Sequence, residues 1–427
     1  MDASERVRTP GQPVPPSDTG ARTLVLRVLD QGLWSLGFFA FTLTAGLALD
    51  IPTFAAVAVG TAIGFIAVGA ARAWAVNAPV IVAGRAGIAP ELAIDLVSGR
   101  RGALFFAGIA AAITGGWIAL DDSAATALSI AALCGLVVLA DLPRQVLVIR
   151  GRYRQSAAIS LTYAVLGGCV GGSMLLGLDT AALVPLWCAV LAVLTAAGVV
   201  LCGRSDTGTD ALEHLGSRVS FAWRMTAEAL YLGIGSQVST LLLFLVNDDT
   251  ATAGIRYAYT LVFAPAFVVV QGLQPLVIKH VARVAPDGPK PVVRICLAWS
   301  VAVSSAVALC GVAGAVLLWT VLSDTRPAIA TTYLVPVAVA IISGQVFEVA
   351  LLAARMFVRP ETAHRVRLVS VLTDVGSQAI GVVAGGAAGL IAALVVVGVA
   401  RIVVSALVLV MTPRWAARHA DVNGALA

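Results

Sequence analysis

Apolar segments of about twenty residues, separated by short polar turns, follow one another along almost the whole chain. A helix needs about 20 apolar residues to cross the hydrocarbon core of a bilayer. The sequence therefore predicts an all-α integral membrane protein with about twelve transmembrane helices. We expect these helices near residues 32–49, 53–71, 103–120, 124–142, 157–178, 183–203, 226–246, 252–275, 292–322, 328–354, 366–385 and 388–412.

Composition argues against the soluble classes of protein. Apolar residues make up 59% of the chain and charged residues 12%, too few charges to cover the surface of a soluble protein of 427 residues. The net charge of +5 does not indicate a nucleic-acid partner, because the basic residues stand between the apolar runs, where they orient a membrane protein.

The sequence lacks the usual signatures of an enzyme. It contains no GxxxxGK[ST] phosphate-binding loop and no polar segment long enough to form a catalytic domain at the membrane surface. The six cysteines have neither CxxC spacing nor a neighbouring histidine. We therefore expect no enzymatic activity, no cofactor and no metal site.

The charges between the apolar runs predict an orientation. If twelve helices are counted from a cytoplasmic N-terminus, the basic residues collect on the cytoplasmic side, with Arg326 the exception. The opposite turns carry the acidic residues Asp50, Asp121, Asp122, Asp179, Asp248, Asp249 and Asp324. We expect a multi-pass protein of the cytoplasmic membrane with both termini inside. The predicted parts are a disordered tail at 1–27, a six-helix lobe at 28–203, a cytoplasmic linker at 204–223, a second six-helix lobe at 224–413 and a tail at 414–427.

Weak internal similarity indicates a duplication. The turn DIPT at 50–53 is echoed by NDDT at 247–250, and NAPVI at 77–81 by QPLVI at 274–278, with one offset of nearly two hundred residues. Because each half has an even number of helices, both halves enter the bilayer from the same side and the repeats are parallel. This organisation is typical of transporters.

Four stretches resemble the polysaccharide-biosynthesis flippases of the multidrug/oligosaccharidyl-lipid/polysaccharide exporter superfamily. They are DQGLWS at 30–35, RAWAVNAPVIV at 72–82, ADLPRQVLVIRGR at 140–152 and GIRYAYTLVFAP at 254–265. The chain departs from that pattern at Asn77, where the family often has Glu, and at Leu142 and Pro143, where an aromatic residue commonly follows the acidic one.

The resemblance implies a fold like that of the MATE exporters, with a cavity between two lobes that opens to one side of the membrane at a time. It also implies a substrate, a lipid-linked saccharide carried from the inner to the outer leaflet. The partners would then be the lipid bilayer, this saccharide and a coupling ion, H⁺ or Na⁺.

Ionisable residues inside apolar runs cost about 2.5–3.5 kcal/mol at mid-helix and so indicate either ion pairs or a functional cavity. Arg401, Asp374 and Glu348 fall at similar predicted depths, and we expect them to form one charged cluster in the C-terminal half. The cluster either locks three helices together or lines a cavity with a proton-coupling role. Arg256, about one turn inside the eighth span, is either an interfacial anchor or a contact for a substrate phosphate.

A second set of polar residues lies near the predicted inner ends of the helices. Arg72 and Asn77 are either further substrate contacts at the inner mouth or ordinary loop residues. Asp141 and Arg144 form either a cytoplasmic gate or a helix-end pair. Asp30, Gln31 and Glu228 occupy matching places at the inner ends of the first and seventh helices, where they either gate between the lobes or are solvated at the interface.

Two other functions fit the sequence. The first is a small-molecule antiporter of the multidrug or major facilitator type, although DLVSGRR at 95–101 matches the facilitator loop motif only in part. The second is a transport-inactive membrane scaffold for envelope synthesis. A wide cationic chamber open to lipid would favour the flippase, and a narrow acidic one would favour a cation antiporter.

Overall fold

The computed structural model describes residues 19–79, 96–119, 123–203, 215–284, 287–321, 325–357 and 360–424. Within these ranges the chain is all-helical and has no strand, as the apolar runs predict. The predicted tail at 1–27 and the linker at 204–223 lie largely outside the described residues.

Eleven long helices make up the described chain. They are α1 (Thr19–Ala48), α2 (Ile51–Arg72), α3 (Leu96–Ile118), α4 (Ala124–Ile149), α5 (Tyr153–Leu175), α6 (Leu183–Cys202), α7 (Leu215–Leu245), α8 (Asp249–Val284), α9 (Pro289–Thr320), α10 (Thr331–Arg355) and α11 (Pro360–Gly424). Nine helices in the described ranges are long and apolar enough to cross a membrane.

Local sequence signals explain where several helices begin. The Asp50 carboxylate accepts a hydrogen bond from the backbone N–H of Thr53, and Ser123 does the same for Thr126, so both residues cap helix N-termini. Proline stands in the first turn of α2 and of α9, where its missing N–H costs no helical hydrogen bond.

The described residues contain eleven helices and not the predicted twelve, because α11 includes two of the predicted spans. The predicted spans 366–385 and 388–412 correspond to two helical arms of α11, which meet where the backbone departs from helical angles at Gly385 and at Gly386, where φ is 57°. Beyond this break the chain folds back, because a Cβ built on Gly389 would lie 1.9 Å from the carbonyl oxygen of Gly381. The two arms of α11 therefore touch backbone to backbone, and glycine at both positions makes this contact possible.

The helices pack as two groups, which we call the N-terminal group (α1–α6) and the C-terminal group (α7–α11). Within the first, α1 packs on α5, α2 on α3 and α4, and α6 on α4 and α5. Within the second, α10 packs on α8, α9 and α11, and α7 on α8 and α11. The groups meet where α1 contacts α8 and where α2 contacts α7 and α8, so α2 is enclosed on nearly all sides.

Candidate functional site

A buried charge cluster lies within the N-terminal group. The Arg144 guanidinium on α4 donates to Asp30 on α1 at 2.8 Å and to Asp141 at 3.1 Å. Asp141 also accepts two hydrogen bonds from Arg72 on α2, at 2.5 and 2.6 Å. Two arginines and two aspartates therefore balance one another, and the side chains of Arg144, Asp141 and Asp30 are almost fully buried.

Neutral groups add hydrogen bonds to this cluster, although the buried Nε of Arg144 has no hydrogen-bond partner among the described residues. Ser156 and Ser160 on α5 donate to the second oxygen of Asp30 at 2.9 and 2.6 Å. Gln31 accepts a hydrogen bond from Arg144 at 3.3 Å, and the guanidinium lies 4.8 Å above the Trp34 ring. Buried charges are tolerated when they are paired and hydrogen-bonded in this way.

The location of these pairs bears on the gating hypothesis. The structure pairs Asp141 with Arg144 within α4, one of the two roles expected for them, and it also joins Asp30 and Gln31 to them. Asp30 is buried, so the alternative of a solvated position does not apply to it. The ion pairs described above all lie within the N-terminal group, and those of Arg72 and Asp30 connect different helices. Such pairs tie α1, α2 and α4 to one another. A role in gating between the two groups stays a prediction.

A second cluster occupies the C-terminal group. Arg367 on α11 pairs with Glu228 on α7 and with Glu348 on α10. The two carboxylates remain partly accessible, at 23% and 30% of their side-chain surface, so this cluster is less enclosed than the first. Arg367 is absent from the site residues predicted from the sequence. It was missed because its place near the start of an apolar run resembles that of the basic residues in the turns. The signal that could have found it is the pair of acidic residues in neighbouring runs, which require a cation.

The predicted cluster of Arg401, Asp374 and Glu348 is divided in the structure. Arg401 donates to Asp374 at 3.0 Å across the two arms of α11, while Glu348 belongs to the cluster around Arg367. Asp374 also accepts from Gln378 at 3.0 Å, and Gln378 accepts from Ser239 on α7 at 2.5 Å. This pair therefore closes the hairpin of α11 and fastens it to α7.

The two clusters occupy related positions in the two halves. Asp30 on the first helix of its group and Glu228 on the first helix of the other group are 198 positions apart, one more than the offset of 197 between the repeated stretches. Asp30 meets partners from the fourth and fifth helices of its group, and Glu228 shares Arg367 of the fifth helix with Glu348 of the fourth. The arginine differs, because it comes from α4 in one group and from α11 in the other.

Arg256 lies between the two groups. It projects from α8 and is 7% exposed, with its guanidinium 5.5 Å from the ring of Phe65 on α2. Its Nη1 donates to the side-chain oxygen of Gln237 on α7 at 3.4 Å, whereas its Nε is buried with no hydrogen-bond partner. Unlike Arg144, Arg367 and Arg401, it forms no ion pair with a carboxylate of the described residues.

The two inner-mouth candidates behave differently. Arg72 is partly accessible but is engaged with Asp141. Asn77 is exposed and lies in the π-helical turn Ala73–Asn77 that extends α2. In the described part of the chain no three side chains of His, Cys, Asp or Glu are grouped so as to hold a metal ion.

Solved structures with a similar fold are transporters. The chain aligns over 92% of its length with a multidrug resistance MATE family transporter of the MOP superfamily in an inward-facing conformation, covering 96% of that chain at 11% identity and a TM-score of 0.53. It aligns over 92% with a MOP superfamily transporter from Pyrococcus furiosus, whose description notes a binding pocket of reversed polarity (95% of that chain, 11% identity, TM-score 0.55).

A third similar structure is the Vibrio cholerae MATE transporter VcmN in its bent form, with 92% of this chain and 98% of that chain covered at 15% identity and a TM-score of 0.51. Neither a family model nor a curated protein sequence matches the chain. Together with the long apolar helices, the structural similarity shows a multi-pass membrane protein with the fold of the MATE transporters of the MOP superfamily.

Proposed function

We propose that this protein is a transporter that moves a lipid-linked saccharide, or a related envelope precursor with a phosphate headgroup, across the cytoplasmic membrane by alternating access. The N-terminal and C-terminal groups would act as the two six-helix lobes, and the two arms of α11 would each cross the bilayer. The positive-inside pattern supports cytoplasmic termini.

Arg256 is the observation that carries this proposal. The other deep arginines are neutralised by carboxylates within one group, whereas Arg256 stands between the groups without an acidic partner among the described residues. A buried donor without a partner costs about 1–3 kcal/mol, so its Nε gains from meeting an oxygen acceptor. Phosphate oxygens are suited to this because a guanidinium can bind two of them side by side.

The rest of the interface fits an amphipathic substrate. On the side of the N-terminal group, the neighbours of Arg256 and Gly233 are the apolar residues Phe65 and Ile66 of α2. In this scheme the headgroup passes between the groups while the polyprenyl chain stays in lipid. The Arg401–Asp374 pair inside the C-terminal group is our candidate for a link to a coupling ion, H⁺ or Na⁺.

The test measures flipping directly. The purified protein is reconstituted in liposomes containing a fluorescent polyprenyl diphosphate saccharide, and loss of fluorescence to an external quencher reports movement between leaflets. We expect Arg256→Gln to abolish flipping and Arg256→Lys to retain part of it, because lysine keeps the charge but loses the paired geometry. Arg154→Gln, at an exposed arginine of α5, is the matched control.

In cells, deletion of the gene should cause lipid-linked saccharides to accumulate on the cytoplasmic face of the membrane. Equal flipping by the wild-type protein and by Arg256→Gln, with equal insertion of both, would remove Arg256 from the substrate path. No accumulation after deletion, combined with loss of dye efflux, would refute the lipid-linked substrate.

A small-molecule antiporter is the second candidate. It is favoured by the similarity of fold to a multidrug resistance transporter and by the carboxylate of Asp374, which is largely enclosed in the C-terminal group. Efflux of a cationic dye that depends on Asp374 and not on Arg256 would select this function over the first.

A further inference from the structure

The contact between Arg256 and Phe65 joins the two groups of helices. Arg256 belongs to α8 of the C-terminal group, and Phe65 belongs to α2 of the N-terminal group, with 5.5 Å between the guanidinium carbon and the ring centroid. At this distance a cation is attracted by the face of an aromatic ring, and the attraction strengthens when water is excluded. The orientation of Arg256 therefore depends on a residue of the opposite group.

Phe65 is itself held by aromatic neighbours. Its ring centroid lies 5.0 Å from that of Phe38 on α1, and Phe38 packs against Tyr163 at 5.3 Å and Trp34 at 5.8 Å. Phe38, Trp34 and Tyr163 are buried. The Phe65 ring is therefore packed against closely packed neighbours, and it can fix the position of a guanidinium in contact with it.

The guanidinium of Arg256 has one ring contact and one hydrogen bond. Its carbon lies 5.5 Å from the centroid of the Phe65 ring, and its Nη1 donates to Gln237 of its own group at 3.4 Å. Its Nε has no hydrogen-bond partner. Because a cation–π contact uses no N–H donor, the remaining donors of the arginine stay available for an oxyanion.

We propose that Phe65 is the positioning residue for Arg256, which holds the guanidinium edge in place for a phosphate group. This inference rests on the proposed function of Arg256 as the anion contact. It follows that neither group of helices carries a complete anion site. Affinity for the headgroup is then highest when α2 and α8 are together at this level, and it falls when the groups separate there.

A double-mutant cycle tests the proposal. Binding of geranylgeranyl diphosphate, and separately of inorganic pyrophosphate, is measured with the full-length protein in nanodiscs for the wild type, Phe65→Leu, Arg256→Gln and the double variant. We expect Phe65→Leu to weaken binding about five- to thirtyfold, the range expected for loss of a largely desolvated cation–π contact. On the Arg256→Gln background, Phe65→Leu should have no further effect.

Two further variants separate positioning from packing. Phe65→Tyr keeps an aromatic face and should bind the probes like the wild type. Phe106→Leu removes another buried ring of the N-terminal group, one in edge-to-face contact with Phe105, and should leave binding unchanged. Coupling between positions 65 and 256 with either probe supports the proposal. Binding of geranylgeranyl diphosphate identifies the ligand as a lipid headgroup, and binding of pyrophosphate alone identifies it as a free anion.

Failure of the positioning role of Phe65 can be distinguished from failure of the anion site. If Arg256→Gln weakens binding but Phe65→Leu does not, or if Phe65→Leu weakens binding equally on both backgrounds, the positioning role is refuted while the anion site stands. If the wild type binds neither probe, or if Arg256→Gln binds as the wild type does, the anion site itself is refuted.

Discussion

Replacing Asp30 with alanine should strongly destabilise the protein. The Asp30 carboxylate balances Arg144, whose side chain is 1% exposed, and accepts hydrogen bonds from Ser156 and Ser160. Its removal leaves two buried or half-buried arginines, Arg72 and Arg144, against the single charge of Asp141. Breaking a buried ion pair by removing one partner costs about 3–5 kcal/mol, a large share of the 5–15 kcal/mol that typically stabilises a folded protein.

The measurement is the free energy of unfolding in mixed micelles titrated with a denaturing detergent, followed by tryptophan fluorescence. Asp287→Ala, at an exposed residue between α8 and α9, changes the net charge equally and serves as the control. The double variant Asp30→Leu with Arg144→Met should recover much of the loss, because an apolar pair of similar volume replaces both charges. A loss below about 1 kcal/mol for Asp30→Ala, or no recovery in the double variant, would refute the reasoning that charge balance stabilises this cluster.

Two further predictions concern the C-terminal group. Arg367→Ala leaves Glu228 and Glu348 without their shared cation and should lower the free energy of unfolding by about 2–4 kcal/mol. This is less than for a fully buried pair because both carboxylates are partly exposed. The same detergent titration measures the loss, and adding Glu348→Gln should restore part of it. Gly389→Ala places a methyl group 1.9 Å from the carbonyl oxygen of Gly381 and should separate the arms of α11. Size-exclusion chromatography should show this as a loss of folded monomer. The control Gly376→Ala, whose methyl group meets open space, should elute normally. Normal elution of the Gly389 variant would contradict the close backbone contact.

The sites were partly predictable from single residues. A charged side chain in an apolar run demands a partner, and this argument singled out Arg401 and Asp374, which pair in the structure. Asp30, Arg144 and Glu228 were expected at helix ends, and their ion pairs between helices came from the structure. The identity of the partner follows from helix packing and cannot be read along one chain. Glu348 was expected beside Arg401 because their depths match, but α10 turns it toward Arg367.

The sequence alone determined the fold class and the approximate helix positions, because burial in lipid requires long apolar segments whose backbone groups bond within each helix. The internal repeat likewise placed Asp30 within one residue of the position that corresponds to Glu228. Among the deep charges of the described residues, the tertiary structure alone decided which neutralise each other, and it left Arg256 without a carboxylate partner. Arg256 and Arg401 look alike in sequence, because both are arginines within apolar runs. Only the packing of α8 against α2 gives Arg256 an aromatic neighbour, and only the packing of the two α11 arms against each other gives Arg401 a carboxylate.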